Sequence, residues 1–322
     1  MACRKGAGDR RSVAACSASA MGEVYALLSA ASFGIAGAAV AKGAPTAKGD
    51  NGVFLSIVLT LALSGLLWLA FGNDPGTIDS ATALWAGIGF FVVAGVLATV
   101  FGRLTNFRSI AMSGAIRSSV FRRLIPVFSI ALAFLLLGER YPPTAMVGML
   151  LILGSIGLAM WVRAPRAVGG PPDLSKNDLR LGLIFGTVSA FCYALAYIAR
   201  KLAMQYLPDA ALGALVGAIT GVVWYVLASC VSARYRDSLF CVFRTAGPWQ
   251  WLGALGMSLG QILLFFALIS APVAVVAIIG SLEMFVGAYL AAFLFQSEPV
   301  PGRGMILATI LAAVGVALVA VS

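Results

Sequence analysis

Residues 111–162 read AMSGAIRSSVFRRLIPVFSIALAFLLLGERYPPTAMVGMLLILGSIGLAMWV. Two long apolar runs meet at a short polar corner that carries Glu139, Arg140, Pro142 and Pro143. Each run is long enough to cross hydrocarbon, which takes about 20 residues of helix. The pattern returns downstream. Adding 159 to the numbering superposes Ala133, Phe134, Leu135, Glu139, Pro142 and Met146 on Ala292, Phe293, Leu294, Glu298, Pro301 and Met305. The same shift pairs Ala31 with Ala190 and Lys42 with Lys201, so the match runs from the first apolar segment to the last with no net gap. The chain reads as a tandem repeat of a unit far longer than a solenoid repeat, and internal duplication is common in membrane transporters.

Composition points the same way. Hydrophobic residues make up 61% of the chain and charged residues 11%, with a mean hydropathy of +0.99. A chain this apolar is not a soluble globule but an all-α integral membrane protein, whose backbone polar groups are satisfied within helices. A net charge of +10 would suggest nucleic acid in a soluble protein. Here Lys and Arg sit mostly in loops, where they set orientation and meet anionic headgroups, so membrane lipid is an expected partner and nucleic acid is not. Cys3, Cys16, Cys192, Cys230 and Cys241 form no C-x-x-C pair, and there is no histidine. No metal centre, His-based catalytic centre or organic cofactor is expected.

Residues 1–20 carry basic and small residues without the apolar core of a signal peptide, and read as a disordered tail or an over-extended start. Spans follow at roughly 23–41, 53–72, 82–102, 112–138 and 144–162, giving a first repeat over 22–162. A polar linker rich in Pro and Gly occupies 163–180. The second repeat, 181–321, has spans at about 181–202, 210–232, 249–270, 273–297 and 303–321. Ten helices result. Five crossings leave the chain on the opposite side, so the second repeat enters inverted, with a pseudo-two-fold axis in the membrane plane. Small-residue stretches such as SAASFGIAGAAVAKG (29–43) and LGALVGAITG (212–221) allow helix backbones to approach closely. Alternating loops place most basic residues, from Lys42 and Arg103 to Arg303, on one face. Arg140, Arg200, Lys201 and the basic N-terminal tail fall on the other, and by the positive-inside rule both termini then lie outside.

Two five-helix repeats, the proline of LIPVFSIALAFLLLGER (124–140) and its closing Gly-Glu resemble the EamA-type transporters of the drug/metabolite transporter superfamily. In the second copy, SLEMFVGAYLAAFLFQSEP (281–299) is similar to the matching segment, with Met284 near where such repeats often carry Pro and Ser297 in place of Gly. The resemblance covers about residues 22–321. It implies a multi-pass carrier of the inner or plasma membrane that works by alternating access on a small polar metabolite, most plausibly in efflux of amino acids or related compounds. Anionic metabolites such as phosphate esters or carboxylates are the alternative. The four-helix relatives depend on a membrane-embedded Glu in their first helix, where this chain has only Glu23 at the start. The family usually keeps both termini in the cytoplasm, opposite to the loop charges, and orientation stays open. The two repeats supply in one chain the inverted pair that smaller relatives build as a dimer, and monomer and homodimer both remain.

Ionisable residues inside spans cost a few kcal/mol each on insertion scales and are candidates for function. They are Arg117, Arg122 and Arg123 in the fourth helix and Glu283 in the ninth. The shift maps Glu283 onto Leu124, one residue from Arg123. Arg122 or Arg123 would then pair with Glu283 as a gate, or bracket a zwitterion, with Glu283 also the candidate for proton coupling. The bland alternative is that the arginines snorkel. Glu139 and Glu298 recur at helix corners and read as structural acceptors for the next helix's free N–H groups, with gating as the alternative. Lys42 and the Arg200–Lys201 pair read as snorkelling anchors at helix ends. Projecting inward, they would instead resemble the basic residues of phosphate-ester carriers. Tyr193 and Tyr197 share one helix face, as do Phe285 and Tyr289, and read as packing or as substrate stacking. Gln261, mid-span in the eighth helix, reads as an interhelical hydrogen-bonding group, with a substrate-ligand role as the alternative. A lipid-modifying enzyme or a membrane scaffold are the alternatives of another class; no long loop or paired acidic motif favours the enzyme.

Overall fold

Charge-free apolar runs have one inexpensive way to satisfy their backbone in lipid, the α-helix. Among the residues described by the computed structural model (10–43, 52–72, 81–113, 121–163, 176–241, 243–244, 246–296 and 300–321) the regular elements are all helical. In chain order they are α1 (Arg10–Gly43), α2 (Val53–Phe71), α3 (Ala81–Gly95), α4 (Arg103–Ser113), α5 (Leu124–Leu137), α6 (Pro143–Arg163) and α7 (Lys176–Tyr206). Then follow α8 (Ala210–Val231), α9 (Ala233–Cys241), α10 (Pro248–Ser270), α11 (Val273–Gly280), α12 (Glu283–Tyr289) and α13 (Arg303–Ala320). Among the described residues, nine stretches are long and apolar enough to cross a membrane. The remaining span, expected over 112–138, is met by the shorter α5; residues 114–120, with Arg117, lie outside the described residues.

Several boundaries differ from the sequence reading. Helix α1 begins at Arg10, so residues 10–19, read from the sequence as a disordered tail or an over-extended start, are helical. Extending a helix already formed downstream costs far less than nucleating a new one. The third span continues through a π-helical turn, Val96–Gly102, into α4. Helix α7 runs to Tyr206 rather than 202. The ninth span is not continuous: α11 ends at Gly280, α12 starts at Glu283, and a π-helical turn, Leu290–Leu294, follows.

Packing follows the repeat. Helix α1 lies along α10, and α7, the counterpart of α1 under the 159-residue shift, lies along α3, the π-helical turn and α4, whose residues 89–111 are the counterpart of α10. Helix α2 packs on α8 and α6 on α13, each beside its own counterpart. The pairs α2 with α10 and α12 with α1 are matched by α8 with α3 and α5 with α7. A serine bond fastens each of these contacts: Ser29 Oγ donates to the Gly260 carbonyl at 2.7 Å across α1 and α10, and Ser189 Oγ donates to the Gly102 carbonyl at 2.7 Å, with donor and acceptor each one residue beyond the repeat equivalents Val188 and Phe101. Small residues bring the backbones together. A Cβ on Gly34 would stand 2.6 Å from Val286 Cβ and 2.9 Å from the Glu283 carbonyl, so α12 can lie this close to α1 only over glycine.

Candidate functional site

The two charged spans break at the same repeat position. In α5, Pro126 lacks the N–H that would bond to the carbonyl of residue 122, and the helix starts afresh after Arg123 (φ −75°, ψ −9°). In the ninth span the break has no proline. Ser281 and Leu282 turn through bonds to the carbonyls three residues back, Ser281 Oγ donates to the Ile278 carbonyl, and α12 starts after Leu282 (φ −66°, ψ −13°). Leu282 is Arg123 plus 159, so the breaks coincide under the repeat.

Those breaks bring opposite charges together. Arg123 Nη1 lies 3.5 Å from Glu283 Oε1, and Arg122 Nη2 lies 3.7 Å from the same oxygen. Both distances exceed a good hydrogen bond, so this is an ion-pair contact rather than a locked fork. The side chains are 18% exposed for Arg123, 45% for Arg122 and 22% for Glu283. These exposures leave the contact open on one side rather than sealed in the core. Glu283 stands ten residues into a 22-residue span, about 15 Å from its start at 1.5 Å per residue and so near the bilayer centre.

Around this pair α7 and α10 contribute a polar wall. Tyr197 lies within electrostatic reach of Glu283, Arg122 and Arg200, and Tyr193 within reach of Arg122 and Arg200. The Tyr193 ring packs at Gly102, where a Cβ would meet it at 3.1 Å, and the Tyr197 hydroxyl lies 3.8 Å from a Cβ placed on Gly280. Arg200 is 6% exposed. Its guanidinium lies 4.8 Å from the Phe265 ring centre and 5.8 Å from that of Tyr197. The amide oxygen of Gln261, as its hydrogen bonding orients it, accepts from Arg200 Nη2 at 2.9 Å and Nη1 at 3.3 Å. Gln261 thus joins α10 to α7. Phe285 is buried in the core, and the Tyr289 hydroxyl meets Thr309 Oγ1 at 3.0 Å, which places both in helix packing.

The corner residues tie the halves together. Gly138 (φ +64°) ends α5 in the left-handed conformation, with Glu139 N–H bonded back to the Ala133 carbonyl, and this aims the Glu139 side chain. Glu139 Oε1 accepts from Val273 N–H at 3.0 Å. The helix it caps is therefore α11, in the other half of the chain, not the next helix along. Tyr141 donates to the other carboxylate oxygen; burial first, and then that bond, push its phenol far above the ordinary range, so it stays a donor. Lys201 Nζ donates to the carbonyls of Leu268 at 2.7 Å and Ala271 at 3.0 Å, closing the C-terminal end of α10, and Lys42 Nζ donates to the Phe295 carbonyl at 2.8 Å. These lysines are caps rather than snorkelling anchors. Glu298 lies outside the described residues.

Arg200 is the residue that sequence reasoning misplaced. Ending the helix at 202 made it a terminal anchor, whereas α7 continues to Tyr206 and turns it inward. One available signal was the repeat itself. Tyr193, Tyr197, Arg200 and Gln261 correspond to Gly34, Ala38, Ala41 and Gly102, so each wall residue is a polar or aromatic replacement of a small one. A separate pocket of about 260 Å³, lined by Leu67, Phe71, Phe266 and Ile269, has Asp209 as its ionisable group, and that carboxylate accepts from Leu212 N–H at 2.9 Å. It lacks the charge of the central site.

Comparison with known proteins agrees with this architecture. The EamA-like transporter family matches residues 20–161. One solved crystal structure shares the fold at a TM-score of 0.64, with 16% identity over 94% of this chain and 95% of that one; such a likeness speaks to the fold alone. No curated protein matches the chain.

Proposed function

We propose that this multi-pass membrane protein, which belongs through residues 20–161 to the EamA-like transporter family, is a secondary carrier of small polar metabolites working by alternating access in the inner or plasma membrane. The observation that carries the mechanism is the ion contact between two breaks at equivalent repeat positions, Arg122 and Arg123 on one and Glu283 on the other. In this reading the repeats 22–162 and 181–321 are the moving parts, and the contact is a gate that parts as they rock. Broken helices near the bilayer centre are where inverted-repeat carriers place their substrate. Glu283 is the proton-coupling candidate, because protonation would release it from both guanidiniums.

Amino acids or related compounds in efflux are the first substrate reading. A second is favoured by the excess of arginine. Arg122, Arg123 and Arg200 face a site whose described carboxylate is Glu283 alone, which suits an anionic metabolite such as a carboxylate or phosphate ester. Counterflow in liposomes of purified protein tests both, with labelled amino acids against unlabelled amino acids, dicarboxylates, phosphate esters and organic cations. Exchange competed by amino acids supports the first reading, and exchange competed by anions alone supports the second. Vesicles that show no exchange with any of the four classes overturn the carrier proposal.

A further inference from the structure

The Arg200 guanidinium points to a built oxyanion site distinct from the gate: we infer that it receives the carboxylate or phosphate of the substrate, which deepens, and so rests on, the carrier reading. The argument starts from an unsettled charge. Arg200 is buried, and its Nε, also buried, has no hydrogen-bond partner. Among the described residues no carboxylate forms an ion pair with it; Glu283 is engaged by Arg122 and Arg123, and Glu139 by Val273 and Tyr141.

What does surround Arg200 holds it in place without neutralising it. Phe265 and Tyr197 present ring faces, which are attractive to a cation but carry no net charge. Gln261 uses one oxygen on two of the five N–H donors. Three donors remain, Nε–H among them, and a guanidinium edge of this kind matches the two oxygens of a carboxylate or phosphate. A helix side chain leans toward the N-terminus of its helix, so from six residues before Tyr206 Arg200 leans toward the depth of Tyr197 and Glu283. Lys201, the next residue, takes the opposite course and closes the end of α10. A buried arginine without a counter-ion is costly in a membrane interior, and a substrate anion supplies what is missing.

The test is thermal unfolding of the purified full chain in detergent, titrated with matched probes: alanine against alaninamide, succinate against succinamide, and glycerol 3-phosphate against glycerol. At least one acid is expected to bind about tenfold or more tighter than its amide or alcohol partner, the range for a lost charged hydrogen bond. The succinate and glycerol 3-phosphate arms separate carboxylate from phosphate. Arg200→Gln is expected to abolish the acid preference, Arg200→Lys to keep part of it, and Gln261→Leu, which leaves the charge in place, to weaken it about threefold. An acid preference unchanged in Arg200→Gln overturns the inference, and so does a panel with no acid-selective shift in the wild-type protein. Counterflow separates the two proposals. Flux without acid preference removes the oxyanion site and leaves the carrier, whereas acid-selective binding in a protein that moves nothing keeps the site and removes the carrier.

Discussion

The two halves of this molecule share their helix pairings and differ in what lines them. Where α1 meets α12, Gly34 and Ala38 let the backbones close up, and Ala38 packs with Ala39, Ala291 and Phe295. On α7 the equivalent positions are Tyr193, whose ring packs at Gly102, and Tyr197, followed at the next inward turn by Arg200 opposite Gln261 of α10. One copy of the interface is blank and tightly packed, and the other carries the polar groups. The two copies keep the same helix pairings and differ at these few inward positions. The difference teaches that in such a chain the residues to inspect are those at which the copies disagree.

Each half of that comparison can be broken separately. The largest effect is expected from Glu283→Gln, which removes the carboxylate bridging the two breaks: counterflow should fall at least a hundredfold while the protein still inserts and remains monodisperse in detergent. Full exchange in that variant would exclude Glu283 from gating and coupling alike. Next comes Gly34→Tyr, which writes the second half's residue into the first. Even its Cβ has no room beside Val286, so overpacking should cost about 3 kcal/mol or more, read as a fall in the unfolding temperature. If the variant were as stable as the wild type, the packed half would be less constrained than its geometry indicates. The converse change, Tyr197→Ala, should leave folding nearly intact and weaken exchange by roughly tenfold, the value of one aromatic or polar contact. Smallest is Glu139→Gln, which keeps an acceptor for Val273 but not the charge; a loss of about 1 kcal/mol, on the order of 2 °C, is expected.

The frame was legible because it is local: span length, small-residue stripes and a 159-residue recurrence need only the sequence. The Arg123 and Glu283 juxtaposition was legible too, since repeat position sets depth in the membrane and depth decides which charges can meet. The break before Glu283 was not, because it rests on Ser281 and turn bonds with no proline to mark it, and Pro126 was read as part of a continuous helix. Arg200 was lost to a helix end placed four residues short. Glu139 was understood as a capping carboxylate, but its partner, Val273, is brought to it only by tertiary packing and lies 134 positions away.

The ninth span has a mechanical character that follows from its fastenings. Its first N–H is held by Glu139 and its last turn by Lys42, side chains that reach it from α5's end and from α1. A beam clamped at both ends cannot swing like a lever. Load applied to it is relieved by buckling at the weakest point, and here that point is the interrupted stretch at Ser281 and Leu282, immediately beside Glu283. Any force the rest of the protein puts on this beam is thereby delivered to the one place along it that carries a charge.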